Sequence, residues 1–464
     1  MVDSASVWPT TLAEVGKMFG LGKPRLPSDE DSEATWMARC EGDVRILRTA
    51  VRAYLDWVER ADLGNWQLTG AGQSWAAYRH RFMRHPLLVH GDEDALAAER
   101  RAMWTGRCEA YWHGTIDYQV VHEWDLHAAY AMVARDAYVP IRLIGPMPPR
   151  HDWRTSVHSG RHRVLAEVTV TTEVPTVPAM YDDHIVWPVG TFRTTLWDVE
   201  LTEAIQDGAT VTIHRGWLYH AAPALQEWAR WILAMLAAPD SEVPAWQKAI
   251  LKHWGRALIG RFAMTYSTWD PFGSMPDLGA EQRTLIDEVE QSAYDIMHVG
   301  TQLWRQGDEV EWSQSMPAIT GYVMAACRVK LWRILRSLPD AAPLYCDTDS
   351  LLTTDRWYRD VSAVAASPLG EGLRLKKSWD GFTINGPRQI VTGNRVRMSG
   401  IPVRAQRVGR HEYVGEVQES VAVGLRAGRT STVRRMDRTW HTRGVDRRRR
   451  GPQTGYTYPH RLAI

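Results

Sequence analysis

Asp347 and Asp349 stand one residue apart in the run Leu344, Tyr345, Cys346, Asp347, Thr348, Asp349, Ser350, Leu351, Leu352. Apolar flanks around a short polar centre read as strand, tight turn, strand. Two carboxylates held a few ångströms apart repel by about 4 kcal/mol at an effective dielectric of about 20. A divalent cation between them turns that repulsion into attraction, so a magnesium site is one reading. The same tripeptide also occurs in turns whose carboxylates only accept backbone N–H bonds. By themselves these residues leave both readings open.

Elsewhere the chain alternates helical and extended signals. Between positions 36 and 60, Ile46, Leu47, Ala50, Val51, Tyr54, Leu55 and Val58 recur at helical spacing. Asp43 falls near the first turn of that segment, where a carboxylate commonly caps the helix. Residues 222–263 read as two helices broken by Pro239 and Pro244. On the second, Lys248, Lys252 and Arg256 recur every four residues and share one side, with Leu251, Trp254, Leu258 and Phe262 on the other. Like charges so spaced repel unless a polyanion faces them, although a solvated basic face would look the same. Residues 188–216 read as short strands and turns, and loop signals cluster at 145–149, 269–279 and 337–340.

A length of 464 residues suggests about three domains. Apolar runs are too short to span a bilayer, and the first residues lack the basic region and apolar core of an export signal. Cys40, Cys108, Cys327 and Cys346 form no C-x-x-C pair, which argues against zinc and a disulfide scaffold and makes a reducing cytoplasm the expected location. The net charge is +1, yet from position 401 onward there are 14 arginines, no lysine and 5 acidic residues. Arg434, Arg435, Arg438, Arg443 and Arg447 to Arg450 offer guanidinium partners for phosphate. A disordered basic tail and a folded element gripping a duplex both fit; Tyr413, Val414, Val417, Trp440, Tyr456 and Tyr458 favour the folded one.

Three stretches taken in order carry a resemblance. They are Glu123 to Tyr130 (Glu-Trp-Asp-Leu-His-Ala-Ala-Tyr), Lys252 to Phe262 (Lys-His-Trp-Gly-Arg-Ala-Leu-Ile-Gly-Arg-Phe), and Tyr345 to Ser350. Together they resemble motifs A, B and C of family B DNA polymerases, most closely the protein-primed kind of phages, linear plasmids, organelles and viruses. Gly106 to Tyr111 sits where that family links exonuclease to polymerase, and Asn385 to Ile390 resembles its primer-binding motif with arginine for lysine. Residues 4–21 and 39–44 look like the tail of its 3′–5′ exonuclease.

What the resemblance implies is a right-hand α/β (α+β) fold. It has an antiparallel palm sheet backed by helices, helical fingers, a small basic thumb and a remnant of a ribonuclease H-like exonuclease. The implied boundaries are exonuclease remnant 1–95, palm 96–215, fingers 216–265, palm 266–400 with an inserted hairpin, and thumb 401–464. The implied activity is DNA-directed DNA synthesis using two Mg2+ ions, with Mn2+ able to substitute, on a DNA primer–template with dNTPs, in a bacterial host cytoplasm. A terminal protein is an implied partner and a membrane is not. By motif position Asp125 and Asp349 are catalytic and hold the metals with the Leu126 carbonyl, and Asp347 is the accessory carboxylate. Tyr130, Lys248, Lys252, Arg256, Ile259 and Gly260 fall on nucleotide-binding positions, and Tyr345, Thr348 and Arg388 on primer–template positions. Arg256 and Ile259 stand where the family has asparagine and tyrosine. Asp43 falls on the one exonuclease carboxylate in sight, so the chain is expected not to proofread. Two rivals are a catalytically silent polymerase-like module and an unrelated two-carboxylate nuclease.

Overall fold

The computed structural model describes residues 6–8, 10–28, 30–148, 151–274, 280–287, 292–392, 395–398, 401–402, 405–409, 412–418, 435–441, 446–452 and 454–464. Among the described residues before Cys108 every regular element is helical, whereas an α/β exonuclease remnant would call for strands. The largest is the helix Glu33–Arg60, which buries Ile46, Ala50, Tyr54, Trp57 and Val58 along one stripe. Its cap is Ser32, whose hydroxyl accepts the Thr35 N–H at 3.3 Å. Asp43 therefore does not cap it: Asp43 lies three turns in, paired with Arg39 at 3.3 Å and Lys23 at 3.7 Å. Trp57 stacks on Trp254 at a centroid distance of 5.4 Å and meets Trp246 edge-on at 5.7 Å. The N-terminal helices thus brace the helix Ala245–Arg261, which carries the basic row.

The central sheet runs in the order Cys108–Ala110, Tyr345–Asp347, Ser350–Thr354, Trp112–Leu126, Leu373–Gly386, Gln389–Thr392, Arg395–Met398, with antiparallel neighbours throughout. Strand alternation sends Trp124, Leu126, Cys346 and Leu351 to one face, where they pack with Leu331, Ile334 and Leu335 of the helix Pro317–Ser337 and Val361 of the helix Tyr358–Ala365. The opposite alternation leaves Glu123, Asp125 and Asp347 facing a cleft. This is the antiparallel sheet with helices behind it that the motifs imply.

A second sheet takes the order Arg461–Leu462, Val189–Trp197, His162–Thr172, Thr210–Ala222, Val139–Pro146. Its central strand pairs antiparallel with both neighbours. Residues 188–216 are therefore a long strand, the helix Asp198–Gln206 and another strand. That helix was hidden because its buried positions are acidic: Glu200 pairs with Arg328 at 2.8 Å and Glu203 with Arg333 at 2.7 Å. The helices Gln226–Ala237 and Ala245–Arg261 follow the predicted proline breaks. Four antiparallel strands then span Thr265–Ser274, Ala280–Asp287, Ser292–Val299 and Gln302–Glu311, so 269–274 is strand where a loop was expected.

The C-terminal arginines are partly structural. Arg449 is buried, donates to Glu109 at 2.6 Å and bonds the Thr457 hydroxyl at 2.8 Å. Arg447 pairs with Asp182 at 3.7 Å. Arg449 thus fastens the chain end to the central sheet through Glu109 instead of standing free for phosphate, while half-exposed Arg447 lies against the hairpin turn at Asp182. Arg435–His441 forms a strand against Glu412–Gln418, and Arg434 and Arg443 lie outside the described residues.

Candidate active site

The turn joining Tyr345–Asp347 to Ser350–Thr354 is tight. Thr348 takes φ +60°, costly for a β-branched residue, and Asp349 N–H closes the turn on Asp347 O at 2.7 Å. Thr348 N–H is bound at 2.7 Å by Arg107 O. Ser350 pairs with Asp125 across the ladder, and Leu126 N–H donates to Asp349 O at 2.7 Å. Asp125 and Asp349, 224 positions apart, consequently sit side by side at the end of neighbouring strands. Beyond Leu126 the chain changes direction through Ala128, left-handed at φ +52°, into the helix Ala129–Asp136. That single left-handed residue brings Tyr130 back over the same cleft as Asp125.

The cleft encloses about 620 Å³ and is lined by Glu123, Asp125, Asp347, Asp349, Tyr345 and Arg388 among others. A smaller cavity of about 190 Å³ adjoins it under Tyr130, Lys252, Gly255 and Arg256. Burial pushes the Asp349 carboxyl up to about 6, with Asp125 and Asp347 pushing the same way and Lys376 and Arg256 opposing. Burial likewise pushes Tyr130 up to about 12. The His127 imidazole is held below its ordinary value by burial and then by Arg374 and Lys252. Asp347 accepts the Thr348 hydroxyl at 3.0 Å and faces the Arg388 guanidinium at 3.4 Å.

The chemistry of this donor set fits a divalent cation. Two neighbouring carboxylates, of which Asp349 is half-buried and raised in pKa first by that burial and then by Asp125, concentrate negative charge beside the Leu126 backbone. Among the described residues no group of three or more His, Cys, Asp or Glu side chains converges to close a metal shell alone. Asp125, Asp349 and the Leu126 carbonyl would hold such an ion with oxygens from outside the chain completing its shell.

Several predicted residues are not at the cleft. Lys248 is turned to the preceding loop, bonding Asp240 at 2.7 Å and Ala238 O at 2.5 Å. Ile259 is 2% exposed inside the helical core, and its carbonyl accepts the Thr320 hydroxyl at 2.6 Å. Gly260 is exposed on the outer side, with no atom near where a Cβ would stand. Position 259 lies only about 20° round the helix from Lys252 but about 10 Å further along its axis, where the helix Pro317–Ser337 covers it through Thr320. Tyr345 lines the cleft, while its hydroxyl is committed to the Arg388 N–H at 3.0 Å and Cys108 Sγ at 3.3 Å. Asp43 sits on the N-terminal helix, outside the residues that line this cleft. Missed by sequence reasoning were Glu123, legible as two residues before Asp125 on one strand face, and Gly106, against which the Thr348 side chain rests.

No helix among the described residues is long and apolar enough to cross a membrane. No family model matches the chain. No curated protein sequence matches it either. Among solved structures the chain is similar to phi29 DNA polymerase complexed with primer-template DNA and incoming nucleotide substrates, at TM-score 0.65 and 14% identity over 95% of this chain and 79% of that one. The same polymerase complexed with primer-template DNA gives a TM-score of 0.64 at 14% identity over the same shares. Its complex with single-stranded DNA gives 0.60 at 12% identity over 94% and 71%. At such identities the likeness is one of fold, and the chain has the fold of the phi29 DNA polymerase, the protein-primed family B type that its motifs resemble.

Proposed function

We propose that this chain is a DNA-directed DNA polymerase that adds deoxynucleotides to a primer 3′ end or to a protein primer. The observation that carries the reading is the meeting of Asp125, at a strand end, with Asp349, in the turn before the paired strand, in a cleft flanked by Lys252 and Arg256. Asp125, Asp349 and the Leu126 carbonyl would hold two Mg2+ ions, or Mn2+, with Asp347 as accessory. Bound there, such ions would lower the pKa of the attacking hydroxyl and neutralise the triphosphate. The chain's own groups orient the reactants. Lys252 and Arg256 present their charges to the triphosphate, the Tyr130 ring lies under the sugar and excludes a 2′ hydroxyl, and Tyr345, Thr348 and Arg388 meet the primer. In this reading the central sheet is the palm, the helices Gln226–Ala237 and Ala245–Arg261 are the fingers, and the described residues between 401 and 464 belong to a thumb, the rest of which lies outside the described residues. Proofreading is not assigned, because Asp43 is tied to Arg39 and Lys23.

A second reading, a silent primer–template-binding module, is favoured by one observation: Lys376 and Arg388 already sit on Asp125 and Asp347. Primer extension by purified protein, with Asp349→Ala as control, separates the two. Extension that disappears in the variant supports the polymerase, binding without extension supports the silent module, and degradation of the labelled strand supports a nuclease. An unpaired 3′ end incubated without nucleotides is expected to stay full length; shortening that survives Asp349→Ala but not Asp43→Ala would overturn the assignment of Asp43.

A further inference from the structure

Lys376 is the extra residue of a β-bulge. Across the ladder Leu375 faces Trp124 and Lys377 faces Glu123, and Lys376 has no partner of its own. A bulge bends its strand locally and so re-aims a side chain. Here it brings the ammonium to 3.0 Å from Glu123 and 3.1 Å from Asp125. Glu123 and Asp125 are two residues apart on one strand and so share a face. Their side chains are 7% and 14% exposed, against 45% for Lys376. The acids are fixed, and the lysine has solvent into which it can withdraw.

A lysine needed only to neutralise buried Glu123 would have no reason to divide its charge equally with Asp125. We propose that Lys376 is a built-in counter-cation that competes with divalent metal for Asp125, holding that carboxylate in the nucleotide-free protein and retreating to Glu123 when metal binds. The inference rests on the reading of Asp125 as a metal ligand and adds the residue that opposes it. Metal occupancy then becomes coupled to nucleotide, because phosphate oxygens supply the additional attraction needed to displace the ammonium.

The test is a Mn2+ titration of the full chain without DNA or nucleotide, read by the electron paramagnetic resonance of free ion. Lys376→Met and Lys376→Gln are expected to bind Mn2+ roughly five-fold more tightly than the unsubstituted protein, about 1 kcal/mol, the upper range for a partly exposed ion pair. Lys376→Arg is expected to stay near the unsubstituted affinity. Asp125→Asn should abolish the gain in the Lys376→Met background. If the loss of the ammonium beside buried Glu123 unfolds the single variants, the Glu123→Gln, Lys376→Met pair carries the same expectation. Unchanged or weaker Mn2+ binding in these variants, with binding still sensitive to Asp125→Asn, overturns the role of Lys376 and leaves the metal site standing. Binding indifferent to Asp125→Asn in every background removes the metal-site reading and the inference with it.

Discussion

Thr348 N–H donates to Arg107 O at 2.7 Å, and the Thr348 side chain lies directly over Gly106. The turn bearing Asp347 and Asp349 is therefore held in its left-handed conformation from outside, by the segment where the family places its exonuclease–polymerase link. A Cβ at position 106 would stand 2.5 Å from Thr348 Oγ1 and 2.8 Å from its Cβ. Gly106→Ala should push the turn, and with it Asp349, by a sizeable fraction of an ångström. Shifts of that order cost up to about 10²-fold in rate. The expected outcome is a large fall in kcat for primer extension with a folded protein by circular dichroism; an unchanged kcat would show that the turn does not depend on this contact.

Residue 449 tests how the arginine-rich end is used. Arg449 and Arg107 both bond Glu109, a side chain 1% exposed. Removing one partner of a buried pair leaves charge uncompensated and costs about 3 kcal/mol. Arg449→Met should lower the urea midpoint by a corresponding amount, and Glu109→Gln in addition should not recover it fully, since Arg107 is then left alone. A loss of DNA affinity at unchanged stability would instead assign Arg449 to phosphate.

What the sequence made legible is local. Strand, turn and strand around Asp347, the helix over Glu33–Arg60 and the proline-bounded helices near Lys252 all follow from short-range periodicity. The meeting of Asp125 with Asp349 was reached through motif resemblance, because residues 224 positions apart that meet through strand pairing leave no local pattern. The bulge at Lys376 was not legible at all: it exists only in the register of one strand against another. Arg449 read as a guanidinium partner for phosphate because its acid, Glu109, lies 340 residues earlier.

Position 259 shows the limit of carrying a motif over by spacing. Ile259 packs in the helical core and its neighbour Phe262 is fully buried. Restoring the family's tyrosine by Ile259→Tyr should not create a nucleotide contact. It should overpack the core at a cost of about 1–3 kcal/mol, seen as a lower melting temperature with no fall in the KM for dNTPs.

Asp198 gives the protein a pH dependence unrelated to the cleft. Burial raises its carboxyl to about 6, with Arg163 opposing. Because the native pKa lies above the ordinary 3.8, the folded state binds the proton more tightly between about pH 4 and 6. The stability contributed by the protonated form is full below that window and is lost as the pH rises through it. Asp198→Asn, which keeps an oxygen for the Val164 N–H bonded at 3.1 Å, should flatten the dependence and stabilise the protein at pH 8 by roughly 1–3 kcal/mol. Urea unfolding at pH 5 and pH 8 reads both effects.

The basic row on the helix Ala245–Arg261 should divide by geometry. Lys252 and Arg256 line the cavity beneath Tyr130, while Lys248 ties down the loop before the helix through Asp240 and Ala238. Loss of a charge-assisted bond to phosphate typically costs about 1.5–3 kcal/mol, so Lys252→Ala and Arg256→Ala should each raise the KM for dNTPs by about tenfold or more. Lys248→Ala should leave that KM alone and lower stability by less than about 1 kcal/mol, as for other exposed pairs. Equal effects at all three positions would mean that the row acts as a general basic surface, and the cavity would lose its claim to the triphosphate.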